Sequence, residues 1–209
     1  VIVPPLVEQK LISQYLDKKT SQINSLVEKI EKKIELLNEQ KTALIDQYVT
    51  KGLEQNAEMK DSGIDCIGEI PKHWEVKPIK YIAEITLGKM LTPNKKENML
   101  RRPYLRSLNI QENNLNLEDI NHMWFSRKEI DKFALKKKDI LVNEGGEVGR
   151  PCILKDDIFE TGFQNSINRI RVHNENPDYV YLVVYLCFKR GYYDSIVNRV
   201  SIPHLTKEK

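Results

Sequence analysis

The residues of this chain whose types and spacing could do chemistry are few and dispersed. Asn176-Pro177-Asp178-Tyr179 comes within one residue of Asn-Pro-Pro-Tyr, an arrangement that positions an amine for methyl transfer. Its third position is Asp, and no glycine-rich strand–turn–helix that would seat S-adenosylmethionine precedes it. Asn176-Pro177-Asp178 therefore reads as a loop that starts a helix at Tyr179. Glu144-Gly145-Gly146-Glu147-Val148-Gly149 is the only glycine cluster, and it lacks the spacing and following helix of a cofactor fingerprint. Gly145, Gly146 and Gly149 are expected to shape a tight β-turn. A nuclease would need Pro-Asp followed by acidic-x-Lys to hold magnesium at a phosphate, and none follows Asp178. There is no Gly-x-Ser-x-Gly and no phosphate-binding loop. Cys66, Cys152 and Cys187 form no Cys-x-x-Cys pair, and His73, His122, His173 and His204 are scattered. Neither a disulfide framework nor a metal cluster is expected, and reduced thiols are the plain reading.

Charge is more informative in its distribution than in its sum. The net charge of the 209 residues is only +3. Residues 1–52 carry a net of +1, whereas residues 77–155 hold sixteen Lys/Arg against ten Asp/Glu, a net of +6. Positive charge gathered in mid-chain suits phosphate binding, and a solvated lysine-rich surface would look the same. The longest apolar run, Tyr179–Phe188, is too short to span a bilayer, and Val1–Leu6 lacks the features of a signal peptide. A cytoplasmic location without membrane contact is expected. The first residue is not Met, which fits a fragment or a processed chain.

Two regions of different character must position any site. Residues 7–51 contain neither Pro nor Gly, with Pro4-Pro5 before them and Gly52 after. That punctuation predicts one long helix over residues 1–52, roughly 65–70 Å long. Positions 16, 20, 23, 27, 30, 34, 37, 41, 44 and 48 advance by alternate steps of four and three. Leu16, Ile23, Val27, Ile30, Ile34, Leu37, Leu44 and Tyr48 form the apolar seam, broken by Thr20 and Lys41. A 3.5-residue period held this long predicts a coiled coil, and the polar breaks can fix register. Leu26, Leu36 and Ile45 lie off the seam and offer a second contact. A helix lying on its own domain's core is the alternative.

Residues 53–76 read as a linker leading into residues 77–209. In that domain short apolar stretches alternate with turn signals. Expected strands are Ile79–Thr86, Tyr104–Ile110, Asp139–Asn143, Pro151–Lys155 and Ile167–Val172. Expected helices are Arg127–Phe133, Tyr179–Arg190 and Tyr192–Asn198. The fold class is α+β, a long coiled-coil-forming helix followed by a mixed α/β domain.

Several stretches, taken in order, resemble the specificity (S) subunit of type I restriction-modification systems. Pro4-Pro5-Leu6-Val7-Glu8-Gln9 is similar to the segment that opens that family's conserved helix. Met59-Lys60-Asp61-Ser62-Gly63-Ile64, then Ile67-Gly68-Glu69-Ile70-Pro71 and His73-Trp74, resemble the approach to a target-recognition domain, with Cys66 where Trp is expected. Further markers are Pro103-Tyr104-Leu105-Arg106 with Asn109-Ile110, and Lys138-Asp139-Ile140-Leu141 with Asn143-Glu144-Gly145-Gly146, Lys138 replacing the usual Gly. Phe163-Gln164-Asn165 and Ile202-Pro203-His204-Leu205-Thr206-Lys207 complete the set.

The resemblance implies that target-recognition domains each read one half of a split double-stranded DNA site. Antiparallel helices fix the spacing, and modification subunits dock on them and supply S-adenosylmethionine and methyl transfer. The chain itself is then non-catalytic and holds no cofactor or metal. With one helix and one domain it looks like the central half of a full subunit, or a half-size subunit paired with another copy. Lys95, Lys96, Arg101 and Arg102 flank a loop expected to reach DNA, with Lys89 and Thr92 in the same stretch. Gln164 and Asn165 suit bidentate pairing with adenine, or a turn that satisfies its own backbone. Lys136-Lys137-Lys138 contact phosphate or form a solvated face. Arg199, His204 and Lys207 follow from the family likeness. Two other readings remain: a coiled-coil protein–protein scaffold without sequence-specific DNA binding, and a free-standing methyltransferase.

Overall fold

The computed structural model describes residues 2–112 and 114–193. Arg199, His204, Lys207 and most of the expected helix Tyr192–Asn198 lie outside the described residues. The chain divides into two compact units, Val1–Asp46 and Gln47–Lys209.

Helix α1 runs Leu6–Lys51, as its punctuation predicts. Gln9 begins the ladder by donating its backbone N–H to Pro5 O at 3.0 Å and its side-chain amide to Pro4 O at 2.8 Å. Gly52 ends the helix in the left-handed region at φ +72°, a conformation that favours glycine. All eight apolar seam residues are 45–60% exposed. The polar break at Thr20 is satisfied locally, its hydroxyl donating to Leu16 O at 2.8 Å. No helix among the described residues is long and apolar enough to cross a membrane.

The division between the units falls before residue 52. The last turn of α1 belongs to the second unit because Val49 and Thr50 are buried there, and Tyr179 Oη donates to Val49 O at 3.3 Å. The expected linker is also structured. Strands β1 (Met59–Asp61) and β2 (Glu69–Pro71) pair antiparallel, with Gly63 and Gly68 at positive φ in the turn between them.

The rest of the second unit is built on two sheets. One has the order β3 (Ala83–Leu87), β11 (Ile167–Val172), β8 (Ile140–Asn143), β9 (Pro151–Ile153), all antiparallel. The other has the order β10 (Gly162–Phe163), β4 (Met99–Leu105), β7 (Asn121–Ser126), with β10 parallel to β4 and β7 antiparallel to it. A short pair, β5 (Ile110–Gln111) and β6 (Asn114–Leu115), lies between β4 and β7 in sequence. Helices α2 (Arg127–Lys132) and α3 (Pro177–Lys189) complete the unit. Its core gathers Leu105, Ile110, Phe125, Leu141, Phe163 and Ile167, each at most 1% exposed.

Local sequence explains where elements depart from expectation. Ile79–Tyr81 forms a 3-10 turn after Pro78, so the first expected strand starts only at Ala83. The strand expected at Tyr104–Ile110 lies earlier, at Met99–Leu105. It stops where Asn109 Oδ1 accepts the Arg106 N–H at 2.8 Å and curls the chain into a 3-10 turn. The strand expected to reach Lys155 ends at Ile153, and Ile167–Val172 is a strand as expected. Asn121–Ser126 was not foreseen. Ser126 and Glu129 form a reciprocal capping box that starts α2, and Asn176 caps α3 by accepting the N–H groups of Asp178 and Tyr179 at 2.9 and 3.2 Å.

Two of the cysteines, distant in sequence, meet in the fold. Cys66, in the β1–β2 turn, and Cys187, on α3, bring their Sγ atoms to 3.4 Å.

Candidate nucleic-acid interface

The register of β4 against β7 sorts residues by face. Leu100 faces Phe125 and Arg102 faces Met123, while Arg101 faces Trp124 and Pro103 faces His122. Met123 and Phe125 are each 1% exposed, which makes theirs the core face. Alternation along a strand then turns Arg101, His122 and Trp124 outward. Arg101 and His122 are exposed, and Trp124 is half-buried.

The loop between β3 and β4 lies along the same strand. Trp124 donates its backbone N–H to Thr92 O at 3.1 Å, and Lys95 Nζ lies 5.5 Å from the centre of the Trp124 ring. Thr92 Oγ1 donates to Met90 O at 3.1 Å, and Lys95 and Lys96 are exposed. Asn98, at φ +59°, turns the chain back into β4. An outward face thus holds cationic side chains and a flat indole. Cations suit phosphates, and aromatic and imidazole faces suit bases.

The loop is anchored where it begins. Lys89 forms a parallel bridge with Gln164, donates its N–H to Phe163 O at 2.9 Å and accepts from Asn165 N at 3.0 Å. Gln164 in turn donates its N–H to Leu105 O at 2.9 Å. A Cβ at Gly88 would lie 2.2 Å from Gln164 O, so the backbones approach too closely for any other residue. The backbones of Gln164 and Asn165 are therefore committed to joining strands. Their half-buried side-chain amides make no hydrogen bond among the described residues, which leaves them available to an outside partner.

Other expected contacts are taken up internally. The Lys89 side chain is 9% exposed, and its Nζ sits 2.5 Å from Glu129 Oε1. Burial pushes the Glu129 carboxyl up, but hydrogen bonds from Lys89 and Ser126 outweigh it and hold it below the ordinary carboxylate value. Lys89 is thus a structural ion-pair partner and not a surface cation. Arg102 lies on the face opposite Arg101, with Nη2 3.0 Å from Glu160 Oε1. Lys138 pairs with Asp178 at 2.6 Å, whereas Lys136 and Lys137 are exposed.

Sequence reasoning missed Trp124 and His122. The alternation within His122-Met123-Trp124-Phe125 was the signal that could have found them. It also missed a buried arginine network. Arg169, 2% exposed, donates to Lys132 O, Ala134 O, Glu84 Oε1 and Thr86 Oγ1 at 2.8–3.2 Å. Arg171 grips both Asp139 carboxylate oxygens at 2.8 and 2.7 Å, and that pairing raises its pKa. The Thr86 hydrogen bond, working against burial and helped by Arg169 and Arg171, holds the Glu84 carboxyl below its ordinary value. Positive charge is thus spent inside the fold, by Arg169 and Arg171 and, within residues 77–155, by Lys89, Arg102 and Lys138.

The motifs weighed for catalysis have structural roles. Gly146 and Gly149, at φ +78° and +79°, shape the turn between antiparallel β8 and β9, where Gly149 N donates to Asn143 O at 2.8 Å. No helix follows that turn, so it does not have the form of a cofactor loop. Among the described residues no group of three or more His, Cys, Asp or Glu is placed to hold a metal ion.

Comparison with known proteins places these features in context. Residues 71–209 match the profile of the family described as the type I restriction modification DNA specificity domain. The type I restriction enzyme MjaVIII specificity subunit of Methanocaldococcus jannaschii is 39% identical over 87 residues, 42% of this chain and 19% of that protein. A second sequence of the same organism, provisionally assigned to the MjaX specificity subunit, is 40% identical over 74 residues, 35% of this chain and 16% of that protein. A solved chain from work on complex assembly and conformational transition of the type I R-M system shares the fold. It has a TM-score of 0.53 and 12% identity, over 99% of this chain and 46% of its own length. The chain thus spans less than half of the structure it resembles and aligns with under a fifth of the two sequence relatives.

Proposed function

Because the chain belongs to the type I restriction modification DNA specificity domain family, we propose that its Gln47–Lys209 unit reads one half of a bipartite double-stranded DNA site. It does so as part of the specificity subunit of a type I restriction-modification complex. The outward face of β4 and β7 is the observation that carries this reading: Arg101, His122 and Trp124 lie beside a loop presenting Lys95 and Lys96. On this face Lys95, Lys96 and Arg101 hold phosphates and set orientation, while Trp124, His122, Gln164 and Asn165 meet bases. Lys89 and Arg102 support the face from within.

Helix α1 is the spacer. Its exposed seam docks modification subunits and a second helix, from another copy or from the other half of a longer subunit. The chain is non-catalytic, and S-adenosylmethionine is held by the modification subunit. The same seam favours the second reading, a protein scaffold in which the domain does not read sequence.

Selection from randomised duplex, repeated across a salt series, separates the two. DNA reading requires an enriched short sequence and an affinity that falls with salt. Replacing Lys95, Lys96 and Arg101 together by Ala must then weaken duplex binding while capture of the modification subunit persists. No enriched sequence at any salt, from a chain that still captures that subunit, leaves the scaffold reading standing.

A further inference from the structure

Cys66 and Cys187 lie 121 residues apart in the chain, yet their Sγ atoms are 3.4 Å apart and both side chains are buried. The contact joins two elements with no covalent link near them, the β1–β2 turn and the last turns of α3. Arg190, just beyond α3, holds the same turn by donating Nη1 to Cys66 O at 2.5 Å and Ile67 O at 3.3 Å. Between the two elements runs an apolar groove of about 520 Å³, with Ile64 and Ile67 on the turn's side and Val180, Val183 and Val184 on the helix side. The fold thus already holds the two thiols in contact across the seam between the turn and the helix.

We propose that Cys66 and Cys187 are a redox-modification site, closing to a disulfide under a peroxide or a low-molecular-weight disulfide. With a peroxide, one thiolate attacks the O–O bond and becomes a sulfenic acid. The second thiolate attacks that sulfur and expels hydroxide, so two thiols and one hydrogen peroxide give one disulfide and two waters. With a small disulfide, the first thiolate displaces one small thiol to form a mixed disulfide, and the second displaces the other. The protein is oxidised and the reagent reduced in both routes. Burial, with the Cys66 contact adding to it, pushes the Cys187 thiol up to about 12. Attack therefore waits on a transient opening of the turn. Closure then pins the turn to α3 and fixes the width of the groove. Cys152 serves as an internal control. It is buried elsewhere, donates to Ile153 O at 3.8 Å, and burial pushes it up to about 11.

The site does not depend on DNA recognition and is tested without DNA. The reduced chain is equilibrated in glutathione buffers from reducing to oxidising, quenched in acid, alkylated and analysed by peptide mass. Free thiols are expected to fall from three to one per chain in a single two-electron transition. One linked peptide pair should join the Cys66 and Cys187 segments, with Cys152 alkylated throughout. Cys66→Ala and Cys187→Ala chains should form no intrachain link. The proposal is overturned if three thiols persist in the most oxidising buffer, if Cys152 takes part in the link, or if linkage appears only between chains or only in denaturant.

Discussion

Arg101 stands opposite Trp124 on the solvent side of β4, whereas Arg102, one residue on, turns to the core side and pairs with Glu160. The two differ in nothing that composition can register, and pleating alone divides them. Arg101→Ala should weaken duplex binding and reduce the dependence of log affinity on log salt by about one, read by titration at several salt concentrations. Lys89→Ala should behave oppositely. It leaves Glu129 without its cation, though still bonded to Ser126, and costs about 1–3 kcal/mol in denaturant unfolding, with little change in the salt slope of the folded chain. The Glu84 and Glu129 carboxyls are held below their ordinary value of 4.5. A depressed folded pKa contributes stability that is present above 4.5 and lost as pH falls through the folded value. Stability should therefore drop on acidification below about pH 4.5, and Glu129→Gln should flatten that slope in unfolding curves taken across the range. At this scale the sequence told which side chains are charged but not which are buried. Lys89 and Lys95 looked alike until Glu129, forty residues later, was seen to claim one of them.

Among the elements, α1 was the most legible, because Pro4-Pro5, Gly52 and a 3.5-residue period kept through the polar breaks at Thr20 and Lys41 are all local signals. The strands were less so, because their ends depend on distant partners. β4 runs where it pairs with β7 and β10, and β10 is only two residues long; only its end carries a local signal, the turn capped by Asn109. The candidate face suffered for this, since half of it stands on β7, whose alternation was present in the sequence but unread. Gly88 marks where the two sheets are joined. Gly88→Ala places a methyl against the Gln164 carbonyl and should destabilise the second unit by about 1–3 kcal/mol, measured as a lower urea midpoint. The exposed seam makes a contrasting prediction. On the proposed function, Ile30→Asp with Ile34→Asp should abolish helix-mediated association in sedimentation while leaving the unfolding free energy of the Gln47–Lys209 unit within about 0.5 kcal/mol of its starting value.

For the molecule as a whole, an uninterrupted helix of 46 residues is the element that the proposed function casts as a ruler. Inserting four helix-forming residues into α1 lengthens it by about 6 Å. On the proposed function this should widen the preferred gap between half-sites by about two base pairs, as read by selection on duplexes with spacers of variable length. The change of texture after Gly52 was legible in the sequence. The burial of Val49 and Thr50 in the second unit was not, because it depends on contacts such as that with Tyr179. The internal pairing of Lys89, Arg102, Arg106, Lys138, Arg169 and Arg171 has a consequence at this scale as well. On the proposed function, it leaves the described part of a single reader with a modest cationic face and hence a modest grip on any one half-site. Occupancy would then come from avidity: with one reader seated, a stiff spacer would hold the second at high effective concentration over one gap length and exclude it from others. A weak reader so spaced would discriminate by distance as well as by sequence.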